Sequence, residues 1–222
     1  MISAGKHHPV CDRSIGDRSP THAAPTEEPA ERHSDAICGL ISARQNVSAK
    51  RLLEPAPSVA QRDRLFSAAS AAPDHGQLLP WRFVIAPREK RGLLAEVFAL
   101  ALIDRAPCAT LVQIEAAREK AHRSPLLMLA VARLVSEREP EIPNFERMVS
   151  LGCAVQNMLL AAHAMGFGSG LTSVQAMASP RMRELFSLEA DEAAVCFINI
   201  GTVSGRKPPR IRPSVRQFVS SL

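Results

Sequence analysis

The 222-residue sequence has no tyrosine and one tryptophan, Trp81, and aromatic residues make up 4% of it. Platforms that stack nucleic-acid bases interleave aromatics with cations, so that class of partner lacks its usual chemistry here. Cysteine is sparse too: Cys11, Cys38, Cys108, Cys153 and Cys196 are scattered, odd in number and without C-x-x-C spacing. This pattern argues against a disulfide framework and against a zinc site. Cys153 and Cys196 lie within apolar runs, where a free thiol packs as a small hydrophobe. No apolar stretch approaches the roughly 20 residues of a membrane span. Lys6 near the start is followed by polar, Pro-rich sequence and not by an apolar run. No secretory signal is read, and the expected location is the cytoplasm, without membrane contact.

What remains is the composition of an ordinary globule, 46% hydrophobic and 22% charged, long enough to bury one core. The net charge of +5 is local. Arg206, Lys207, Arg210, Arg212 and Arg216 fall between Gly205 and Leu222 with no acid among them, so the remainder of the chain is neutral. Such a tail suits a phosphate-bearing ligand or a partner subunit, and no nucleic-acid partner is read from it. Residues 1–38 hold His7, His8, His22 and His33 with Pro9, Pro20, Pro25 and Pro29, and no hydrophobic periodicity before Ile37. They cannot offset their own chain entropy, so residues 1–35 are expected to be a disordered leader to one domain over 36–222. The irregular histidine spacing assigns no metal.

From Ile37 helical and strand patterns alternate. A short helix is expected from Ile37 to near Arg44, and Ser58 is placed to cap a helix over 59–71. Residues 82–86 read as a strand, 88–103 as a helix, and Thr110 as the cap of another. Residues 126–134 are almost wholly apolar, as in a strand covered on both faces, and 194–203 repeat that signature. The longest helix is expected over 144–165. Met148, Leu151, Val155, Met158, Leu159 and Ala162 form one apolar face, and Val149, Cys153 and Leu160 extend it, so it is central or shared between subunits. Gly166 reads as its C′ residue, and 167–173 as a Gly-interrupted extended segment before a short helix capped by Ser179. The tail is expected to be extended, with Phe218-Val219 able to pair as an added strand.

The most informative stretch is Ala72-Pro73-Asp74-His75-Gly76-Gln77-Leu78-Leu79-Pro80-Trp81-Arg82-Phe83-Val84. Pro73 ends the helix, Asp74-His75-Gly76 has turn chemistry, and Pro80 forces extension into a strand. Such an elbow can aim an imidazole and several N–H groups at a ligand. This combination resembles the FMN-dependent nitroreductase family, specifically its compact, single-domain YdjA-like branch, which has the same Ala-Pro-Asp-His loop followed by Pro-Trp. The resemblance implies an α+β fold, a mixed central sheet flanked by helices, with a long buried or interface helix and an extended C-terminal arm.

It also implies where a flavin mononucleotide would be held. The family carries Arg-Arg-Ser near its start, and here the corresponding stretch is Arg44-Gln45-Asn46-Val47-Ser48-Ala49-Lys50-Arg51 before Glu54-Pro55-Ala56-Pro57. Without a gap the motif falls on Asn46, Val47 and Ser48; with two extra residues it falls on Arg44, Gln45 and Asn46. The second register supplies the cation that a phosphate needs and is preferred, with Ser48 kept as a hydroxyl donor. By the same resemblance His75 contacts the ribityl chain or the flavin edge. Leu171, Thr172 and Ser173 run along the ring, and Arg206, with Lys207 as second choice, meets the phosphate. Gly166-Phe167-Gly168-Ser169-Gly170 has neither the P-loop ending nor G-x-G-x-x-G spacing.

The implied activity is transfer of hydride from NAD(P)H through tightly bound FMN to a nitroaromatic, quinone or other small electrophile, in a ping-pong cycle within a homodimer. Hydride delivery needs mainly alignment, so no side chain is assigned a catalytic role and His163 is assigned none. The alternative is a non-catalytic flavin or small-ligand binding module, a carrier or sensor.

Overall fold

The computed structural model describes residues 30–134, 142–205, 208 and 211–222. Its elements follow from the caps and apolar patterns of the sequence. Ser58 caps α2 (Val59–Ser70) in a reciprocal capping box with Gln61, and Thr110 caps α4 (Leu111–Arg118) in the same way with Gln113. A 3-10 turn over Arg88–Lys90 leads into α3 (Arg91–Arg105). Ser179 caps α6 (Pro180–Leu185), with its proline at the first helical position. The long helix α5 (Asn144–Ala164) ends at Gly166, whose φ of +85° is the left-handed conformation a helical C′ residue takes.

Five strands form one sheet: β1 (Leu52–Leu53), β2 (Trp81–Ile85), β3 (Leu126–Arg133), β4 (Gly168–Thr172) and β5 (Glu192–Val203). The order is β1-β5-β3-β2, and β4 also pairs with β5. All of these ladders are antiparallel, and a parallel contact enters at the bridge between Asn46 and Ser169. β3 is apolar throughout because both its faces are covered. Met128, Ala130 and Ala132 pack with Ile198 and Ile200 against α2 and α5. Leu127, Leu129 and Val131 pack with Phe197 against α3, α4 and α6. The protein is therefore three layers, with the central helices on one face and the α3–α4–α6 group on the other.

Polar groups tie the layers together. Trp81 donates from Nε1 to Ser150 Oγ of α5 at 3.0 Å, in the core. Arg91 is buried and donates to the carbonyls of Ala86, Ala121 and Ser124 at 2.6, 2.7 and 3.3 Å. This fastens the start of α3 to the segment before β3. Burial, and then the charge of Arg88, push its guanidinium pKa down to about 10.

Two expectations change. The first helix, α1 (Ala30–Ala43), begins at Ala30, ahead of Ile37. Its side chains from Arg32 to Gly39 are exposed, so it carries no one-sided apolar pattern from which a start could be read. Phe218 and Val219 form no strand. Ser214 and Gln217 close a capping box around a 3-10 turn (Val215–Gln217), which leaves Phe218 67% exposed. Residues 1–29, which include most of the expected leader, lie outside the described residues.

Candidate functional site

The segment after α1 lies against β4. Val47 N–H donates to the Ser169 carbonyl at 2.8 Å, and Leu171 N–H donates to Asn46 Oδ1 at 3.2 Å. The approach is close enough that a Cβ on Gly170 would collide with the Val47 carbonyl oxygen, so only glycine fits there. The C-terminal arm closes over the same segment. Arg212 donates to the Arg44 carbonyl at 2.9 Å, and Gln45 Nε2 donates to the Pro208 carbonyl at 3.5 Å.

Between these pieces lies a cavity of about 610 Å³, with Arg44, Arg51, His163, Ser169, Thr202 and Ser204 among its walls. Arg44 Nε and Nη1 are buried there without a hydrogen-bond partner among the described residues, as is Ser169 Oγ. Burial first, and the neighbouring Arg212 second, lower the guanidinium pKa of Arg44. A desolvated cation with free donors is costly unless an anion meets it. A phosphate monoester supplies that anion, with acceptor oxygens for two guanidinium nitrogens and a hydroxyl, so the residues fit the phosphate end of FMN.

β4 continues from this cavity to a second one of about 340 Å³, where Leu171, Thr172 and Ser173 share the wall with Lys120, Arg123 and Asn199. Asn199 is buried and sets this end of the strand. Its Nδ2 donates to Thr172 Oγ1 at 3.0 Å and to the Gly170 carbonyl at 3.3 Å, and its Oδ1 accepts from Ser124 Oγ at 3.0 Å.

The structure thus gathers Arg44, Gln45 and Asn46 on the first cavity and Leu171, Thr172 and Ser173 on the second. Ser48 is exposed at the start of the 3-10 turn Ala49–Arg51, outside the walls of both. His75 is not brought to either cavity. Its side chain is 67% exposed, and Nδ1 lies 2.7 Å from Glu146 Oε2 of α5. The elbow around it is built as expected, with Gly76 at φ +70° and Leu79 N–H donating to Asp74 Oδ2 at 2.7 Å. Arg206 and Lys207, which follow Gly205 in the sequence, lie outside the described residues. His163, which received no role from the sequence, lines the first cavity. Lys120 and Arg123 were also missed, since cations at a helix end are indistinguishable in sequence from a solvated face.

Residues 43–202 match the model of the Nitroreductase family. The chain belongs to the Nitroreductase family. Among curated relatives, "Putative NAD(P)H nitroreductase YdjA" of Escherichia coli strain K12 is 36% identical over 168 residues, covering 76% of this chain and 88% of the relative. Among solved structures, a nitroreductase-like family protein from Bacillus cereus superposes with a TM-score of 0.72 at 18% identity, covering 84% of this chain and 95% of that one. An FMN-dependent nitroreductase from Clostridium difficile R20291 gives a TM-score of 0.59 at 16% identity, covering 83% of this chain and 98% of that one. The matched family segment begins at Ala43 and ends at Thr202, so it spans the Arg44–Val47 segment, β4 and nearly all of β5. The cavities and the family membership therefore concern the same part of the molecule. No helix among the described residues is long and apolar enough to cross a membrane.

Proposed function

We propose that this protein is a cytoplasmic FMN-dependent oxidoreductase that uses NAD(P)H to reduce a nitroaromatic, quinone or other small electrophilic acceptor in a ping-pong cycle. The observation that carries the reading is the pair of buried, unpartnered Arg44 nitrogens in the wall of a cavity that β4 connects to a second one. FMN, when bound, supplies a two-electron carrier that accepts hydride from NAD(P)H and returns it to the acceptor. Arg44 and the Ser169 hydroxyl would hold its phosphate, with Arg206 or Lys207 as the further cation. Leu171, Thr172 and Ser173 would border its ring. Lys120 and Arg123 place positive charge beside those residues, where they would stabilise negative charge on a bound ring without reorganisation. The name of the Escherichia coli relative supports the nicotinamide donor.

A homodimer is part of the proposal. His75 lines neither cavity of its own subunit and stands in an exposed elbow, so a flavin contact by His75 would be made across a subunit boundary. The rival, a non-catalytic flavin module, draws on Asn46, which ties β4 to the preceding segment instead of offering its amide oxygen to a ligand.

An absorption spectrum separates the readings. The purified protein should be yellow and should bleach when NADH or NADPH is added anaerobically. Yellow protein that does not bleach would favour the binding module, and a colourless protein that takes up no FMN defeats both.

A further inference from the structure

The second cavity does not end at Ser173. It shares Phe98, Lys120, Ser173 and Val174 with a crevice of about 240 Å³ whose far end adds Arg105 and Gln175. The floor is apolar and belongs to the core. Phe98 is buried and stands edge-on to Phe197, with ring centroids 5.7 Å apart, and Ala117 and Ala176 belong to the same core. The rim is cationic. Arg105 and Lys120 reach the crevice, no carboxylate lines it, and neither cation has a hydrogen bond or ion pair among the described residues.

The acids next to them are engaged elsewhere. Asp104 takes two bonds from Arg181, at 2.9 and 3.3 Å. Glu96 and Glu115 are held by Arg118. Glu119 borders a different depression, on the outer side of α3 and α4. The crevice therefore combines two cations that no described carboxylate pairs with and a hydrocarbon floor, and it opens into the cavity at Leu171, Thr172 and Ser173.

We propose that this crevice selects the acceptor: it takes the carboxylate of a small aromatic or otherwise apolar acid whose reducible group lies at Leu171–Ser173. The assignment rests on the flavin reading of the adjoining cavity. A phosphate of the nicotinamide donor shares the anionic chemistry. The floor of Phe98, Leu102, Ala117, Val174 and Ala176 favours an anion attached to hydrocarbon over a fully polar diphosphate.

The experiment is calorimetric titration of the purified protein, its FMN content first measured by absorbance, with 4-nitrobenzoate, neutral 4-nitrobenzamide and inorganic pyrophosphate. A charge-assisted contact should make the benzoate bind roughly ten- to a hundredfold tighter than the amide. Arg105→Gln should cut that preference by about tenfold, leaving the amide affinity and the FMN content unchanged. Equal affinities for the acid and the amide in flavin-loaded protein would overturn the proposal. So would an unchanged preference in Arg105→Gln. Pyrophosphate binding tighter than 4-nitrobenzoate, and weakened by Arg105→Gln, would reassign the crevice to the nicotinamide donor. Colourless protein that keeps the Arg105-dependent preference would leave the anion crevice standing while removing its acceptor role and the flavin reading together.

Discussion

Arg44 is paid for only when something anionic reaches it, and two measurements test that from opposite sides. With FMN, Arg44→Ala should lower affinity roughly ten- to a hundredfold, the value of a charge-assisted contact of about 1.5–3 kcal/mol. Without FMN, Arg44→Met should leave the melting temperature unchanged or raise it, because a desolvated cation with two free nitrogens is a cost to the empty fold. Asn46→Ala separates the two possible registers. If it abolishes FMN binding while Arg44→Ala does not, the motif falls on Asn46, Val47 and Ser48. The proposal takes Arg44, because the Asn46 amide oxygen already accepts Leu171 N–H and Ser48 lies outside the cavity walls. A second residue-scale expectation concerns acid. Glu192 is 4% exposed and accepts Arg82 Nε and Nη2, both at 2.7 Å. The hydrogen bonds from Arg82 hold its pKa below the ordinary carboxylate value. A depressed carboxylate contributes stability above its unfolded pKa and loses it as pH falls through the folded one. Glu192→Gln should therefore flatten the fall in stability between about pH 5 and pH 3 in denaturant titrations. Arg82→Met, which strands the buried carboxylate, should cost about 3 kcal/mol at neutral pH. None of these partnerships was legible in sequence: Arg82 meets Glu192, and His75 meets Glu146, only after the sheet and the long helix are assembled.

At the scale of elements, the legible parts were those with a local cause. The Ser58 and Thr110 caps, the unbroken apolar run of β3 and the Gly166 stop all act within a few residues, and each element stands where its signal put it. The start of α1 had no such signal, because a helix exposed on most of its surface needs no apolar stripe. This bears on truncation. A chain beginning at Asp35 removes the first turn of α1, whose side chains from Arg32 onward are exposed. It should keep its flavin content and lose under about 1 kcal/mol in thermal unfolding, as surface changes do. A larger loss would show that the preceding residues pack on the body or cover the site. The long helix was read correctly as apolar on several faces, but its faces have different duties. Met158 and Leu159 are buried against the sheet and α2 within one subunit, so Asp at either position is a core lesion and reports nothing about assembly. The exposed apolar positions of α5 are Phe145, Met148 and Val149, so the apolar face expected from Met148 onward is buried only from Leu151.

The whole molecule exposes more hydrocarbon than its two core clusters leave unexplained. Phe145 is 69% and Val149 62% exposed on α5, Ile37 and Ile41 are exposed on α1, and Ile211, Val215, Phe218 and Val219 follow along the C-terminal arm. Single exposed apolar residues are ordinary, but these three elements supply the surface that the proposed homodimer would cover. Arg212 fastens the arm to the Ser42 and Arg44 carbonyls, at 3.4 and 2.9 Å, on the segment that enters the first cavity. A second copy laid on this surface would bury the arm and bring an exposed His75 elbow toward a neighbour's cavity. Light scattering at low micromolar concentration should then give about 48 kDa, twice the 24.0 kDa chain. The decisive variant is Phe145→Asp with Val149→Asp. These side chains make no intramolecular core, so the pair should shift the protein toward 24.0 kDa while far-ultraviolet circular dichroism keeps its helical signal. If FMN bridges two subunits, the same variant should lose flavin although Arg44 is intact. A folded monomer that retains its flavin would place the whole site within one chain and would leave His75 without a part in it.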